Sequence, residues 1–438
     1  MNLRRWLTPG IGIKRWLFVV FVGELGLALA GALALREVYR DVQVPGSFQT
    51  LVSALTLQFL PYGLRGVIVA AAGLGLFLYG SWRVIRVIVG PFVSPDQEQP
   101  LVEVIYQKRF LARGPRIVAI GGGTGLSSLL RGLKEHTSNI TAIVAMADDG
   151  GSTGLLRQSM GIPPVGDIRN CIVALADAEP LMGQLLQFRF PEEEAGSLSG
   201  HAVGNLLIAA MTRIQEEDFE EAVRQMNRVL AVRGQVVPSS ASPLVLHARL
   251  RDGRELSGQS VITRTPGIEE VWLTPGDVSA CADAVRAIAE ADLIVLGPGS
   301  LYTSILPSLL IEEIRAAVIA SSALRLYVCN VATQVGETSG YDLADHVTAL
   351  ERHTQPGLVD VVLANNQFVA RPAVENAPDS VRLRWPPGGP DAPRLVLDDV
   401  VDRENAHHHD PARLAAAVMR IYEREALAHR HARVVRSA

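Results

Sequence analysis

Two adjacent carboxylates stand in the most chemically suggestive run of this chain. Asp148 and Asp149 follow an apolar stretch, and the small residues Gly150, Gly151, Ser152, Thr153 and Gly154 come directly after them. Paired carboxylates can hold ribose or sugar hydroxyls or ligate Mg²⁺, and a glycine-rich backbone can approach a phosphate. A helix N-cap would explain part of the run. Two carboxylates and so many small residues exceed what a cap needs, so the run predicts a binding site, with Asp149 as the candidate Mg²⁺ ligand.

A glycine-rich loop provides a second candidate. Its residues are Gly121, Gly122, Gly123, Thr124 and Gly125, between the strand-like Ile117–Ile120 and the amphipathic Leu126–Lys134. This order presents backbone N–H groups and a helix N-terminus to a phosphate. The strict dinucleotide fingerprint fails, because its third glycine would fall on Leu126 or Ser128, and no P-loop Lys-Ser or Lys-Thr follows. The loop therefore predicts an anion site of another type.

Three later segments also place small polar residues where strands should end. They comprise Gly166, Asp167, Arg169 and Asn170; then Asn205; then Pro298, Gly299, Ser300, Tyr302, Thr303 and Ser304. Asp167 could cap a helix, and Arg169 could bind paired phosphate oxygens unless it is an exposed surface arginine. Asn205 could turn its amide toward a base or a sugar. A second anion loop on one sheet predicts a ligand with more than one phosphate.

Short apolar runs that end in Gly, Asp or Asn must position these residues. The strand-like runs are Ile117–Ile120, Thr141–Ala145, Gln235–Val237, Pro243–Leu250, Leu293–Leu296, Arg325–Cys329 and Val359–Ala364. Helical periodicity separates several of them. Such runs indicate strands buried on both faces, and thus a Rossmann-like, doubly wound, mostly parallel α/β sheet. Ligands bind such a sheet at the carboxyl ends of its strands.

The N-terminal residues have a different character. Two apolar segments, about 16–35 and 66–86, are each long enough to cross a hydrocarbon core of roughly 30 Å, and Glu24 is the single charge between Trp16 and Leu35. A signal peptide would be shorter and lack a second span, while a buried helical hairpin is the alternative. We predict a membrane hairpin over 1–90, a juxtamembrane linker over 91–115 and a domain over 116–438. Basic residues before the first span and after the second predict that both termini are cytoplasmic.

Other features exclude several functions. Cys171, Cys281 and Cys329 are isolated, so neither a disulfide framework nor a zinc site is indicated. The formal net charge of −4 gives no support for a nucleic-acid partner. Three adjacent histidines, His407 to His409, could bind a metal but are more typical of a loop before a helix. No activated nucleophile beside a general base is visible, which favours binding over catalysis.

Six motifs in this order resemble the YvcK proteins of the CofD-like superfamily. They are Gly121–Ser127, Ala147–Gly154, Gly166–Cys171, Gly204–Leu207, Pro298–Pro307 and Tyr327–Gln334. The resemblance runs from about Arg116 to the C-terminal helix and implies a CofD-like fold. Members are named gluconeogenesis factors, are tied to carbon partitioning, cell shape and peptidoglycan synthesis, and bind UDP-sugars such as UDP-N-acetylglucosamine. Their relative CofD transfers a phospholactyl group from a nucleotide diphosphate to a deazaflavin.

The resemblance adds Asn330 and Gln334 to the expected pocket. Leu156 stands where the family commonly has arginine, and Arg157 could replace that charge. The apolar segments and the resemblance together predict a membrane-tethered UDP-sugar-binding regulator of carbon partitioning, cell shape and peptidoglycan precursor metabolism, expected as a homo-oligomer. The alternatives are a CofD-like 2-phospho-L-lactate transferase with a nucleotide diphosphate donor and Mg²⁺, or an NAD-type binder.

Overall fold

A computed structural model describes residues 110–176, 180–191, 198–368, 378–385 and 392–437, with four isolated positions before them. The predicted segments 16–35 and 66–86 and most of the linker 91–115 lie outside this description. Within the described residues, no helix combines the length and apolar character needed to cross a bilayer. The main body begins at Phe110, and Leu111 of the short turn Leu111–Arg113 is already buried.

Ten strands are described, and seven of them form one sheet. They are β1 (Ile117–Gly121), β2 (Ile140–Val144), β3 (Gln235–Pro238), β4 (Val245–Leu250), β5 (Glu255–Ser257), β6 (Ile268–Thr274), β7 (Leu293–Leu296), β8 (Leu324–Val328), β9 (Val361–Asn365) and β10 (Arg394–Asp398). The large sheet has the order β10-β9-β8-β7-β1-β2-β3, and every pairing in it is parallel. The order reverses between β7 and β1. A doubly wound sheet binds ligands in the crevice at such a reversal.

The strand burial explains which sequence predictions hold. Every residue of β1, β7 and β9 is buried, as expected of strands covered on both faces. The predicted run Pro243–Leu250 does contain a strand, β4, but it belongs to a separate antiparallel sheet of order β5-β4-β6. Its placement in the parallel sheet was wrong, because its side chains alternate between buried and more exposed, the pattern of a sheet with one solvated face.

Helices connect the strands, and the first of them begins two residues after the end of β1. They are α1 (Gly123–Leu133), α2 (Gly151–Met160), α3 (Gly166–Leu175), α4 (Pro180–Gln187), α5 (Val203–Ile214), α6 (Phe219–Val229), α7 (Gln259–Ile262), α8 (Ala282–Ala289), α9 (Leu306–Leu309), α10 (Glu312–Ala320), α11 (Leu343–His353) and α12 (Pro411–Ser437). A π-helical turn, Leu301–Ile305, precedes α9. Helices α1 and α12 pack so closely that a Cβ at Gly132 would overlap the carbonyl oxygen of Pro411.

Candidate functional site

The loops that follow β1 and β7 touch each other at the reversal of the sheet. A Cβ at Gly125 would lie 2.7 Å from the carbonyl oxygen of Pro298, and one at Gly299 would lie 3.2 Å from that of Gly122. Glycine permits this approach because it carries no Cβ. Gly123 also has a φ of +66°, which turns the chain into α1. The two predicted glycine-rich loops therefore form one continuous wall.

This wall borders a cleft of about 430 Å³. Nine predicted residues line it: Gly122, Gly123, Thr124, Gly125, Gly299, Ser300, Ser304, Asn330 and Gln334. Nine more were not predicted to do so: Ser128, Thr263, Ala332, Thr333, Val335, Pro378, His407, His408 and His409. The lining offers hydroxyls, amides and the exposed backbone of a helix start. It can therefore hydrogen-bond a hydroxyl-rich or phosphorylated ligand.

Two amide side chains after β8 fix the second loop. Asn330 donates from Nδ2 to the Gly299 carbonyl oxygen at 2.9 Å, and accepts from the Gly299 amide at 3.2 Å. Gln334 donates from Nε2 to Ser300 Oγ at 2.6 Å. The Oε1 atom of Gln334 is buried without a protein hydrogen-bond partner in the described structure. Both residues, implied by the family resemblance, thus reach the cleft.

A buried carboxylate, which sequence reasoning missed, binds the start of the π-helical turn. The Tyr302 and Thr303 amides donate to Glu337 Oε1 at 2.6 and 3.2 Å, and Thr303 Oγ1 donates to Oε2 at 3.0 Å. Burial raises the pKa of Glu337 to about 7. The Tyr302 side chain is buried too, with its hydroxyl 2.8 Å from that of Tyr341. Tyr302 and Thr303 therefore support the wall from behind, and their amides already have an acceptor.

Arg169 lies in a buried polar cluster next to the cleft. It is 7% exposed, and donates from Nη1 to Asn205 Oδ1 and from Nη2 to Asn170 Oδ1, both at 3.0 Å. Asn205 donates in turn to Ser152 Oγ at 3.0 Å. Gly204 leaves room for the arginine, since a Cβ there would lie 2.8 Å from Arg169 Cδ. Arg169 is therefore not an exposed surface arginine, and two of its guanidinium nitrogens, expected to bind phosphate, donate to protein side chains instead.

Ser152 also has a histidine neighbour that the sequence did not reveal. Its Oγ lies 3.0 Å from His201 Nδ1, so the sequence-based conclusion that no base adjoins a hydroxyl is incomplete. The Ser152 side chain is buried and its oxygen already accepts from Asn205. A nucleophile must reach its substrate, and this hydroxyl is closed off from solvent.

Asp167 connects the polar cluster to the first loop. Its carboxyl group leaves no space for a side chain at Gly122 and accepts a hydrogen bond from the Gly123 amide. Burial, followed by the charge of Asp148, raises the pKa of Asp167 to about 6. Burial likewise raises the pKa of Asp148, whose Oδ1 accepts from the Gly150 amide at 3.0 Å. The two carboxyl groups therefore favour protonation more than exposed ones do.

The carboxylate of Asp149, unlike that of Asp148, accepts a hydrogen bond from outside its own loop. Its Oδ1 accepts from the Ser260 amide at 2.8 Å, which holds the start of α7. No group of three or more His, Cys, Asp or Glu suited to a metal occurs among the described residues. Arg157, expected to add charge beside this loop, donates to the Leu244 carbonyl oxygen at 2.6 Å instead.

The predicted residues thus fall into two adjoining groups. Most residues of the two glycine-rich loops, with Asn330 and Gln334, line the cleft, whereas Gly121, Pro298, Tyr302 and Thr303 of those loops do not. The second group forms the buried polar cluster next to the cleft. It comprises the run from Asp148 to Gly154, the segment from Gly166 to Asn170, and Asn205. Close packing joins this cluster internally, since a Cβ at Gly166 would lie 2.7 Å from Thr153 Oγ1.

Replacing Arg169 with alanine should therefore damage the fold as well as any ligand contact. The change leaves Asn205 without its buried donor and empties the space beside Gly204. We expect the free energy of unfolding to fall by about 2–4 kcal/mol, measured by urea denaturation. Arg213→Ala, at an exposed position of α5, is the control and should cost less than about 1 kcal/mol. Equal losses for both variants would contradict the cluster's structural role.

Comparisons with known proteins agree with this architecture. The profile of the family described as 2-phospho-L-lactate transferase CofD matches residues 117–383. A Nostoc protein named "Putative gluconeogenesis factor" is 42% identical over 430 residues, covering 95% of this chain and 92% of its own. The Bacillus subtilis protein named "Gluconeogenesis factor" is 48% identical over 276 residues, covering 63% of this chain and 84% of its own.

A solved structure supports the fold directly. The crystal structure of a Bacillus halodurans protein matches with a TM-score of 0.64 and 41% identity, covering 70% of this chain and 100% of that one. The matched family region contains both glycine-rich loops, Asn330 and Glu337. The chain therefore belongs to the CofD family, in the branch of YvcK-like gluconeogenesis factors.

Proposed function

We propose that the cleft binds a UDP-sugar, with UDP-N-acetylglucosamine as the first candidate, and that the protein regulates rather than catalyses. The observation that supports this ligand most directly is the contact between the two glycine-rich loops at the point where the sheet order reverses. There the start of α1 faces a cleft lined by hydroxyls and amides. Helix N-termini favour anions, and the remaining lining suits sugar hydroxyls.

The lining also supports binding over catalysis. Ser304 and Asn330 can hydrogen-bond a ligand, and the described residues of the lining include three histidines but no Asp, Glu, Lys, Arg or Cys. The one hydroxyl–imidazole pair noted above, Ser152 with His201, has a buried hydroxyl. Burial raises the pKa of the Cys171 and Cys329 thiols, which keeps them protonated and poorly nucleophilic. A regulator must bind its ligand without converting it, and the hydroxyls and amides of this cleft are groups that bind a ligand by hydrogen bonds.

The proposal extends to where the protein acts. The apolar segments 16–35 and 66–86, and the basic residues around them, support a membrane tether with the main domain in the cytoplasm. Relatives named for gluconeogenesis support a role in carbon partitioning, and we extend it to cell shape and peptidoglycan precursor supply. We also propose a homo-oligomer. Membrane fractionation of the full chain, followed by cross-linking, tests both; a fully soluble monomer would contradict them.

Calorimetry of the purified full chain with UDP-N-acetylglucosamine, GDP and NAD tests the ligand. We expect UDP-N-acetylglucosamine to bind at least tenfold more tightly than the other two, a difference of about 1.4 kcal/mol. Ser300→Ala removes a hydroxyl that lines the cleft and should weaken binding, whereas Ser159→Ala, on the exposed end of α2, should leave it unchanged. Tight binding of NAD alone would overturn the ligand assignment.

A phospholactate transferase is the second candidate, and the description of the matched family favours it. In that reaction Mg²⁺ would neutralise the nucleotide diphosphate, and the run beginning at Asp148 and Asp149 is where the sequence suggests a metal. Incubation with a nucleotide-activated phospholactate, a deazaflavin and Mg²⁺ separates the candidates. Product formed at catalytic rates would replace the regulator proposal.

A further inference from the structure

The cleft contains a third wall that comes from the C-terminal part of the chain. His407, His408 and His409 lie between β10 and α12, and all three line the cleft together with the Gly122–Gly125 loop. More than 280 residues separate the two walls along the chain. Folding therefore brings the two walls together, and no local sequence motif predicts that they meet.

His409 anchors this wall. It is 5% exposed, and its Nε2 atom donates to the carbonyl oxygen of Cys329 at 3.3 Å. Cys329 directly follows β8, so the hydrogen bond ties the histidine loop to the same strand end that carries Asn330. Burial lowers the pKa of His409 to about 4. His409 thus stays neutral at physiological pH and has a positioning role.

His407 and His408 differ from His409 because they are less buried; His407 is exposed and His408 half-buried. Among the described residues that line the cleft, the three histidines are the only ionisable side chains. A phosphate group in this cleft would meet helix-start amides on one side and these imidazoles on the other. Protonated imidazole is a strong hydrogen-bond donor to phosphate.

We propose that His407 and His408 supply the positive charge for the phosphates of the cleft's ligand. This inference rests on the proposed binding of a UDP-sugar, since it concerns that ligand's diphosphate. The two side chains set a preference for phosphorylated over unphosphorylated ligands.

Other charged groups near this wall must be separated from the two histidines. The same loop carries Asp402, Arg403, Glu404 and Asp410, followed by Arg413 on α12, whose guanidinium bonds Asp399. On the opposite wall, the carboxyl group of Asp167 lies behind Gly122. None of these charged residues lines the cleft, whereas both histidines do.

The test is calorimetry of the full chain with UDP-N-acetylglucosamine, UDP and uridine. We expect the double variant His407→Gln with His408→Gln to bind the two diphosphates about tenfold more weakly than the wild type does, and uridine equally. His136→Gln, at an exposed position after α1, should bind all three as the wild type does.

The outcomes separate the two proposals. If the wild type binds neither diphosphate, the UDP-sugar proposal fails and the histidine proposal fails with it. If the wild type binds them but the double variant binds them equally tightly, the histidine proposal alone is overturned.

Discussion

Replacing Gly125 with alanine should push apart the two glycine-rich loops and weaken the proposed binding of a UDP-sugar at least tenfold. The new Cβ would lie 2.7 Å from the Pro298 carbonyl oxygen and 3.1 Å from the Gly299 nitrogen. Alanine gains about 1 kcal/mol of helix propensity in α1, but overpacking costs about 1–3 kcal/mol. Backbone atoms cannot rotate away, so the cost falls at the upper end and stability drops by about 2 kcal/mol.

Urea denaturation and calorimetry of the variant measure both effects. Gly183→Ala in α4 is the matched control, because its nearest neighbour would be a Val173 methyl group at 3.9 Å. That variant should gain up to about 1 kcal/mol and bind normally. Unchanged binding by Gly125→Ala would show that the contact between the loops does not shape the ligand site.

Replacing Glu337 with glutamine should remove about 3 kcal/mol of pH dependence from the stability of the fold. The pKa of this buried carboxyl is raised from 4.5 to about 7, so the folded state binds the proton more tightly than the unfolded state. Its favourable contribution is fully present below about pH 4.5 and is lost as the pH rises through about 7. Glutamine can still accept from the Tyr302 and Thr303 amides but does not titrate.

Unfolding free energies of the wild type and the variant, measured from about pH 5 to about pH 8, provide the test. As the pH rises, the free energy of unfolding of the wild type should fall relative to that of the variant. Asp167 contributes with the same sign up to its pKa of about 6, and His409 with the opposite sign between 6.5 and about 4. Both cancel in the difference. Parallel curves would contradict a titrating Glu337.

The sequence predicts the parallel sheet because burial on both faces leaves a readable trace. Runs such as Ile117–Ile120 and Leu293–Leu296 are apolar throughout and stop at glycine, and both are strands of the large sheet. The sequence of β4 alternates in character, with the polar His247 between the apolar Leu246 and Ala248. The two apolar residues are buried and His247 is more exposed, and this alternation is typical of a sheet with one solvated face. The edge strand β10 is partly exposed throughout, and its apolar run, Leu395 to Leu397, is shorter than those of β1 and β7.

The site was predictable where local motifs make it and not where folding assembles it. The glycine-rich loops carry their own signal, since close backbone approach requires glycine. Glu337 carries none: a single glutamate in a turn resembles any surface residue until Tyr302 and Thr303 are seen to donate to it. The same holds for Arg169, whose burial depends on Asn205 and Gly204 from another helix.

The contact between Gly132 and Pro411 affects when, during synthesis, the cleft becomes able to bind a ligand. Helix α12 seats on α1 through this contact, and the histidine loop immediately before it then reaches the cleft. The ribosome makes these residues more than 270 positions after the first glycine loop. A nascent chain can therefore form the sheet centre while its cleft still lacks a wall, and we expect ligand capture to begin only after residue 411 has left the exit tunnel.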